Sequence, residues 1–505
     1  MSFDEQLYKE KPFLKTAIGI VFILLLSFVS GYAIGKGGMA ATMAFIGLPF
    51  GAIFMNKLFI NPKIGIIGTM VMAFAAIGIL RYIPGKPPLG LSIDGLLVMS
   101  YLSLFFKSTT RHVPWHKASS TITYLAIIWY LYILFEIVNP EVTSREAWFF
   151  ASRGVGLYMV LIIPLVQMLL DNDKSFQQFI LIWGIFSILG SIKGAMQLFV
   201  GPDFAEQAWL DAGNAGTHIL FGKLRVFSFY SDAGQFGAAQ AVTGVVFGIL
   251  WMGCENKKRK RLYLIVSLLG FYGMLISGTR GAIAAPAAGG LMFLVLKKNF
   301  KLLIPGITLM ILIYIFFRFT TIMNGNAQIR RMRTGFDPDN PSLMVRKRNQ
   351  KILKTYMASR PIGAGIGQSF EWAARFTPNT YLATVPTDSW FVAVWVETGV
   401  IGLTLHLFIL FYVLLYGTYL VMFKLRDPII INRMTALLSG QAGVMLCSYG
   451  NGVLGQIPTS VMLYTSMAYI TMAIKIERQR LGEITEEEKT QEAIYWTKKN
   501  EIKPL

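Results

Sequence analysis

Charge is scarce in this chain. Asp, Glu, Lys and Arg make up only 15% of its 505 residues while 54% are hydrophobic, and soluble domains are about a quarter charged. Packing in water is therefore excluded. Cysteine is nearly absent: Cys254 and Cys447 are expected in a cytoplasmic loop and a membrane helix, which leaves neither a disulfide framework nor a thiolate metal site. Four histidines occur, with His112 and His116 in a loop, His406 inside a span and only His218 placed to share a site. Walker, zinc-site and serine-hydrolase patterns are missing, which argues against ATP-driven transport and metal-dependent hydrolysis. The short alternating strands of a membrane β-barrel are missing too.

What remains is apolar length. Runs of 17 to 25 residues recur along nearly the whole chain, each able to cross about 30 Å of hydrocarbon as a helix. The fold class is therefore all-α, a polytopic integral membrane protein of about fourteen transmembrane helices with one large outer loop. Spans are expected near 16–34, 39–55, 64–80, 89–106, 121–138, 147–170, 176–199, 227–251, 262–278, 281–296, 302–319, 400–423, 432–450 and 455–474. The first follows a basic stretch and ends in nothing like a cleavage site, so it reads as a retained helix. Five segments follow: N-terminal spans 1–219, a core 220–319, an outer loop 320–399, C-terminal spans 400–475 and a tail 476–505.

A formal net charge of +20 would suggest nucleic acid in a soluble protein. In a membrane protein it sets orientation, and no nucleic-acid partner is expected. Basic clusters at Lys107 to Lys117, Lys257 to Arg261, Lys297 to Lys301 and Lys424 to Arg433 all fall in loops of one parity, so these loops and both termini are expected in the cytoplasm. The loop of roughly 80 residues between the spans ending at 319 and starting at 400 then faces outward. From Thr320 to Asp388 it carries ten cations against Asp337, Asp339, Glu371 and Asp388. Long loops escape the orientation rule, so this excess points to an anionic ligand or lipid headgroup, or else to a solvated basic surface.

Three arginine-bearing motifs stand out. Ile276-Ser277-Gly278-Thr279-Arg280-Gly281-Ala282 joins two spans with almost no room for a loop, which holds Arg280 at the membrane boundary. There an arginine is paired, functional or snorkelling. Arg225 precedes the aromatic run Phe227 to Tyr230 where the outer loop 200–226 meets a span. Val345 to Lys354, with Arg346 and Arg348, has the spacing of an amphipathic helix that Pro361 and the glycines of Gly363-Ala364-Gly365-Ile366-Gly367 would stop. That glycine run lacks the dinucleotide-binding spacing and marks a turn. Asp388 then opens an apolar stretch whose first part, Trp390 to Val396, is too short to cross and reads as re-entrant or interfacial.

Together these residues resemble the O-antigen ligase and polymerase superfamily over about residues 220–420. The shared elements run in the same order: Arg225, the Ser-Gly-Thr-Arg-Gly-Ala hairpin at Arg280, then a long loop with Arg346, Pro361, Gly363, Gly365 and Gly367. The Glu-x-Gly-x-x-Gly of Glu397, Gly399 and Gly402 closes the set. Where the ligases commonly carry a histidine this chain has Asp388, which leans toward the polymerase-like members.

The resemblance implies an inverting glycosyltransferase at the outer face of the cytoplasmic membrane, needing neither nucleotide nor metal, with no cofactor. Its donor would be a polyprenyl-diphosphate-linked glycan and its acceptor a glycan, a lipid A-core or a protein hydroxyl, among membrane lipids. Arg225, Arg280, Arg346 and Arg348 would grip the diphosphate, with Arg225 and Arg280 stabilising the leaving group, and Arg225, Arg280 and Arg346 are expected to converge on one outer-face cavity. Asp388 would act as general base or orient the acceptor, unless it only caps the following helix. Glu397 and His218 would support. The rival class is a secondary transporter or flippase, although no internal repeat is evident.

Overall fold

A computed structural model describes residues 17–83, 85, 87–220, 222–298, 300–337, 340–483 and 494–495. The expected cytoplasmic N terminus and most of the tail 476–505 lie outside the described residues. The chain divides into two units, Met1–Ile64 and Gly65–Leu505.

The first unit is built on α1 (Ala17–Ile60), and α2 (Lys63–Leu80) begins at its end. Two spans with a break after residue 34 are expected here, but α1 runs unbroken for 44 residues. The physical reason is that Gly35, Gly37 and Gly38 each cost a helix only about 1 kcal/mol.

In the second unit the helices are α3 (Leu91–Thr110), α4 (Thr121–Phe135), α5 (Arg145–Ser152), α6 (Tyr158–Leu169), α7 (Asp173–Phe199), α8 (Phe204–Trp209) and α9 (Ala215–His218). A two-rung antiparallel ladder of β1 (Ile219–Leu220) and β2 (Lys223–Leu224) follows. Then come α10 (Ala233–Met252), α11 (Lys257–Ile276), α12 (Ala284–Leu296), α13 (Phe300–Phe319), α14 (Ala327–Arg333), α15 (Pro341–Met357) and α16 (Phe370–Phe376). The last four are α17 (Trp390–Tyr419), α18 (Pro428–Gly450), α19 (Thr459–Thr471) and α20 (Ala473–Leu481). The protein is thus all-α and polytopic.

Among the described residues eight helices are long and apolar enough to cross a membrane, with shorter apolar helices at Pro49–Ile60, Arg280–Leu296 and Leu303–Phe319. The expected piece 390–396 and the span after it are one helix, α17, bent at Gly399 (φ 66°, ψ −170°).

Helix α10 is buried on nearly every side and packs against α7, α11, α12 and α18. Its small residues allow that close approach. Polar side chains tie the bundle where water is excluded: Trp183 Nε1 donates to Thr243 Oγ1 (2.8 Å), Ser187 Oγ to Gln240 Oε1 (2.7 Å) and Gln441 Nε2 to the Leu410 carbonyl (2.9 Å). Apolar side chains of α13 such as Ile304, Leu309 and Leu312 point outward, as lipid-facing residues should.

Loops expected on one side of the membrane meet at one end of this unit. Lys117 and Lys475 both pair with Asp171 (2.8 and 2.6 Å), Arg433 pairs with Asp173, and Lys298 donates to the Met422 carbonyl. At the other end Arg360 pairs with Glu141 (3.1 Å), Thr143 Oγ1 donates to Gln368 (2.6 Å) and Arg81 Nη1 to the Ser228 carbonyl (2.7 Å). The basic loops around Lys117, Lys298 and Arg433 thus lie at one end and residues 360–368 at the other.

Candidate functional site

The end of the second unit that carries residues 320–388 gathers arginines from separate segments. β1 and β2 return the chain so that Arg225 follows directly; its amide donates to the His218 carbonyl (2.7 Å). Its side chain reaches the Thr217 carbonyl (Nη1, 3.0 Å) and Thr279 Oγ1 (Nη2, 3.5 Å), beside Arg280. Thr279 is buried and donates to the Ala233 carbonyl (2.7 Å), which ties the hairpin to the start of α10. Arg280 opens a short turn into α12 and donates to Thr334 Oγ1 (3.2 Å).

Sequence reasoning counted Arg331 only as one of many loop cations, yet α14 lays it across the same hairpin. A Cβ added at Gly278 would lie 3.2 Å from Arg331 Cδ. Burial lowers the Arg331 guanidinium to about 10, and the charges of Arg225 and Arg280 press the same way. Arg225 is also lowered by burial, which Asp232 opposes and Arg280 reinforces. The Nε atoms of Arg225 and Arg331 are buried without a hydrogen-bond partner among the described residues. The three guanidiniums thus form a concentrated positive patch. No motif flags Arg331, because its place depends on how α14 folds back.

Arg346 lies on α15 and feels Arg280 electrostatically. Its Nε stands 3.6 Å from Asp388 Oδ2, with side-chain exposures of 35% and 40%. Arg348 is exposed, because two residues along a helix turn the side chain by about 200°. The structure does not bring it to the other arginines. Asp388 has a left-handed backbone (φ 27°), which Asp tolerates better than most residues. It is not the cap of α17: that place belongs to Ser389, whose side chain caps nothing and donates to the Ser448 carbonyl (3.3 Å).

Two further polar residues border this group. Asn451, in the link after α18, accepts from the Trp390 amide (3.2 Å), and its Nδ2 is buried without a partner among the described residues. A Cβ at Gly281 would lie 2.3 Å from that Nδ2. Asp232 caps α10, accepting from the Gly234 and Gln235 amides (2.6 and 3.0 Å). The signal for Asn451 was its setting, a polar residue between Gly450 and Gly452 separating two apolar runs.

Glu397 is buried and accepts from Ser369 Oγ (2.7 Å). The glycine turn docks on it: the Ala364 and Gly365 amides donate to the Val396 and Glu397 carbonyls (2.9 and 3.0 Å). A Cβ at Gly399 would lie 1.9 Å from the Pro361 carbonyl oxygen. Pro-x-Gly-x-Gly-x-Gly and Glu-x-Gly-x-x-Gly are thus two halves of one joint that fixes the outer loop to α17. His218 is also buried, against Trp209 and Phe227 (ring centres 4.9 and 5.3 Å), with Nδ1 near the Asn214 carbonyl (3.0 Å). Burial holds it below its usual value. It braces the segment that presents Arg225.

The other loop cations have local tasks. Arg333 crowns the end of α13, donating to the Phe316 carbonyl (2.8 Å) and the Ile322 carbonyl (2.6 Å). Arg375 lies over the Phe376 ring (5.3 Å). Among the described residues no group of His, Cys, Asp or Glu could hold a metal ion.

The family described as O-Antigen ligase matches residues 264–407, a stretch that contains Arg280, Arg331, Arg346, Asp388 and Glu397. An O-antigen polymerase of Salmonella muenchen is 28% identical over 196 residues, 37% of this chain and 45% of that protein. The matched segment thus spans less than half of that relative's length.

Proposed function

For a chain that belongs to the O-antigen ligase and polymerase superfamily, we propose glycan transfer from a polyprenyl-diphosphate donor to an acceptor hydroxyl, at the outer face of the cytoplasmic membrane. The observation that carries this reading is the gathering of Arg225, Arg280 and Arg331 from three segments, beside Arg346. Guanidinium forks match diphosphate oxygens two at a time and stabilise the charge that grows on the leaving group. The acceptor oxygen attacks the anomeric carbon as its bond to phosphate breaks. The acceptor proton passes to Asp388 and the electron pair leaves with the diphosphate, inverting the anomeric centre.

Arg346 stands between the two tasks, near the other arginines yet paired with Asp388. Donor binding would draw it toward phosphate and free the carboxylate. A glycan acceptor, and so a polymerase, is favoured over a lipid A-core or protein acceptor by Asp388 standing where ligases commonly have histidine. Glu397 and His218 support the site by holding the loop joint and the Arg225 segment.

The test uses the full chain in liposomes with a polyprenyl-diphosphate oligosaccharide, measuring polyprenyl-diphosphate release without ATP or an ion gradient. Arg280→Lys should lose most turnover, because a point charge cannot replace a bidentate fork. Movement of intact substrate without bond cleavage would support a flippase instead, and full activity in Arg280→Ala would remove that arginine from the mechanism.

A further inference from the structure

A polar cavity of about 150 Å³ lies at the opposite end of the second unit, where α10 ends and α11 and α18 begin. Helix α11 separates the two ends: it starts at Lys257 near this cavity and finishes at Ile276, just before the Arg280 hairpin. Its 20 residues span about 30 Å, the thickness of a hydrocarbon core. The cavity therefore sits at the other membrane boundary and belongs to no part of the arginine site.

Arg259, Arg433 and Arg480 line it, against one acidic lining residue, Glu255. Arg433 pairs with Asp173 and Arg480 with Asp427 (2.6 Å). Each guanidinium has five donors, so both keep N–H groups for a ligand. The Arg259 side chain has no hydrogen bond or ion pair among the described residues. Around the mouth Lys257, Lys258 and Arg261 are exposed, which makes the rim strongly cationic.

A second observation concerns hydrogen bonding rather than charge. Asn432 lines the cavity and is only 4% exposed; its Nδ2 donates to the Ile249 carbonyl (3.0 Å), which fixes the amide orientation. Its Oδ1 is left buried with no donor among the described residues. Gly253 makes the room, since a Cβ there would lie 2.2 Å from Asn432 Cγ. The cavity thus offers several donors for an anion and one acceptor wanting a hydroxyl.

We infer that this cavity holds the headgroup of an anionic glycerophospholipid, with the phosphate on the guanidiniums and a glycerol hydroxyl donating to Asn432 Oδ1. Basic pockets between helices at a membrane boundary suit such headgroups, because that boundary is where a bilayer places its phosphates. The assignment does not depend on the transferase reading.

The experiment is native mass spectrometry of the full chain released from vesicles of equal phosphatidylglycerol and phosphatidylcholine. Phosphatidylglycerol should be retained in preference, and free glycerol phosphate in the buffer should not displace it. Arg259→Gln, an exposed change that leaves packing intact, should reduce that retention about fivefold, and Arg480→Gln should do likewise. Equal retention of the two lipids by the unaltered protein would overturn the proposal, as would unchanged retention in both variants. Displacement by free glycerol phosphate would assign the site to a soluble anion and overturn the lipid assignment.

Discussion

Asp388→Asn separates a chemical role for this residue from a structural one, because the structural cost can be bounded first. Asp388 faces Arg346 across 3.6 Å with both side chains more than a third exposed, and such a pair contributes about 0–1 kcal/mol. Its left-handed backbone suits Asn as well as Asp. The cap of α17 is Ser389, so no capping bond is lost. Thermal unfolding should therefore barely move. If Asp388 takes the acceptor proton, turnover should fall by roughly 10² to 10⁴, because the amide cannot accept a proton. The initial rate of polyprenyl-diphosphate release at saturating donor, measured beside the unfolding midpoint, gives both numbers from one preparation. A folded variant working within twofold of the parent would refute the reasoning. In Arg346→Gln the donor KM should rise more than kcat falls, since there the carboxylate is intact and one phosphate contact is gone.

Three other outcomes follow from the geometry. Arg331→Lys should lower kcat by about tenfold or more in the release assay, because its buried Nε lacks a partner and a lysine offers no fork; equal rates would return Arg331 to the loop surface. Gly399→Ala should destabilise the protein by about 3 kcal/mol or more, from a glycine-only backbone and a Cβ 1.9 Å from the Pro361 oxygen. Gly290→Ala, with nothing within 4 Å of its Cβ, is the control by thermal unfolding in detergent. Burial lowers the folded-state value of His218 below its ordinary 6.5, so the unfolded chain binds the extra proton first and stability is lost as pH falls below about 6.5. His218→Gln should flatten that slope in unfolding midpoints taken between pH 5 and 7.5.

Helix type and the order of the motifs were legible in the sequence, because each rests on local chemistry. Apolar length makes spans, and lysine and arginine mark one face. Gly399 and Pro361 were visible as turn residues, but their contact across nearly forty positions was not, since docking of the loop on α17 is a tertiary event. The same limit explains Arg331 and Arg348. Both stand in basic runs of similar composition, and only the fold-back of α14 and the angular phase of α15 decide which one meets Arg280. The expected break after residue 34 is absent because the glycines there cost a helix too little to end it.

Electrostatics then ties the joint to the chemistry. Three nearby carboxylates have partners of their own: Asp232 the first amides of α10, Asp388 Arg346, and Glu397 Ser369 under the glycine turn. Arg225, Arg280 and Arg331 press on one another, with Asp232 opposing that effect at Arg225. Such an arrangement persists only if packing elsewhere holds it, which is the task of the Pro361–Gly399 contact, the Arg333 crown on α13 and the buried Thr279 bond to α10. Like charges held together by a rigid scaffold are stabilised further when an anion arrives. That stabilisation grows with the negative charge of the ligand, so in the proposed transfer it would favour a departing diphosphate over the sugar-linked diester that entered.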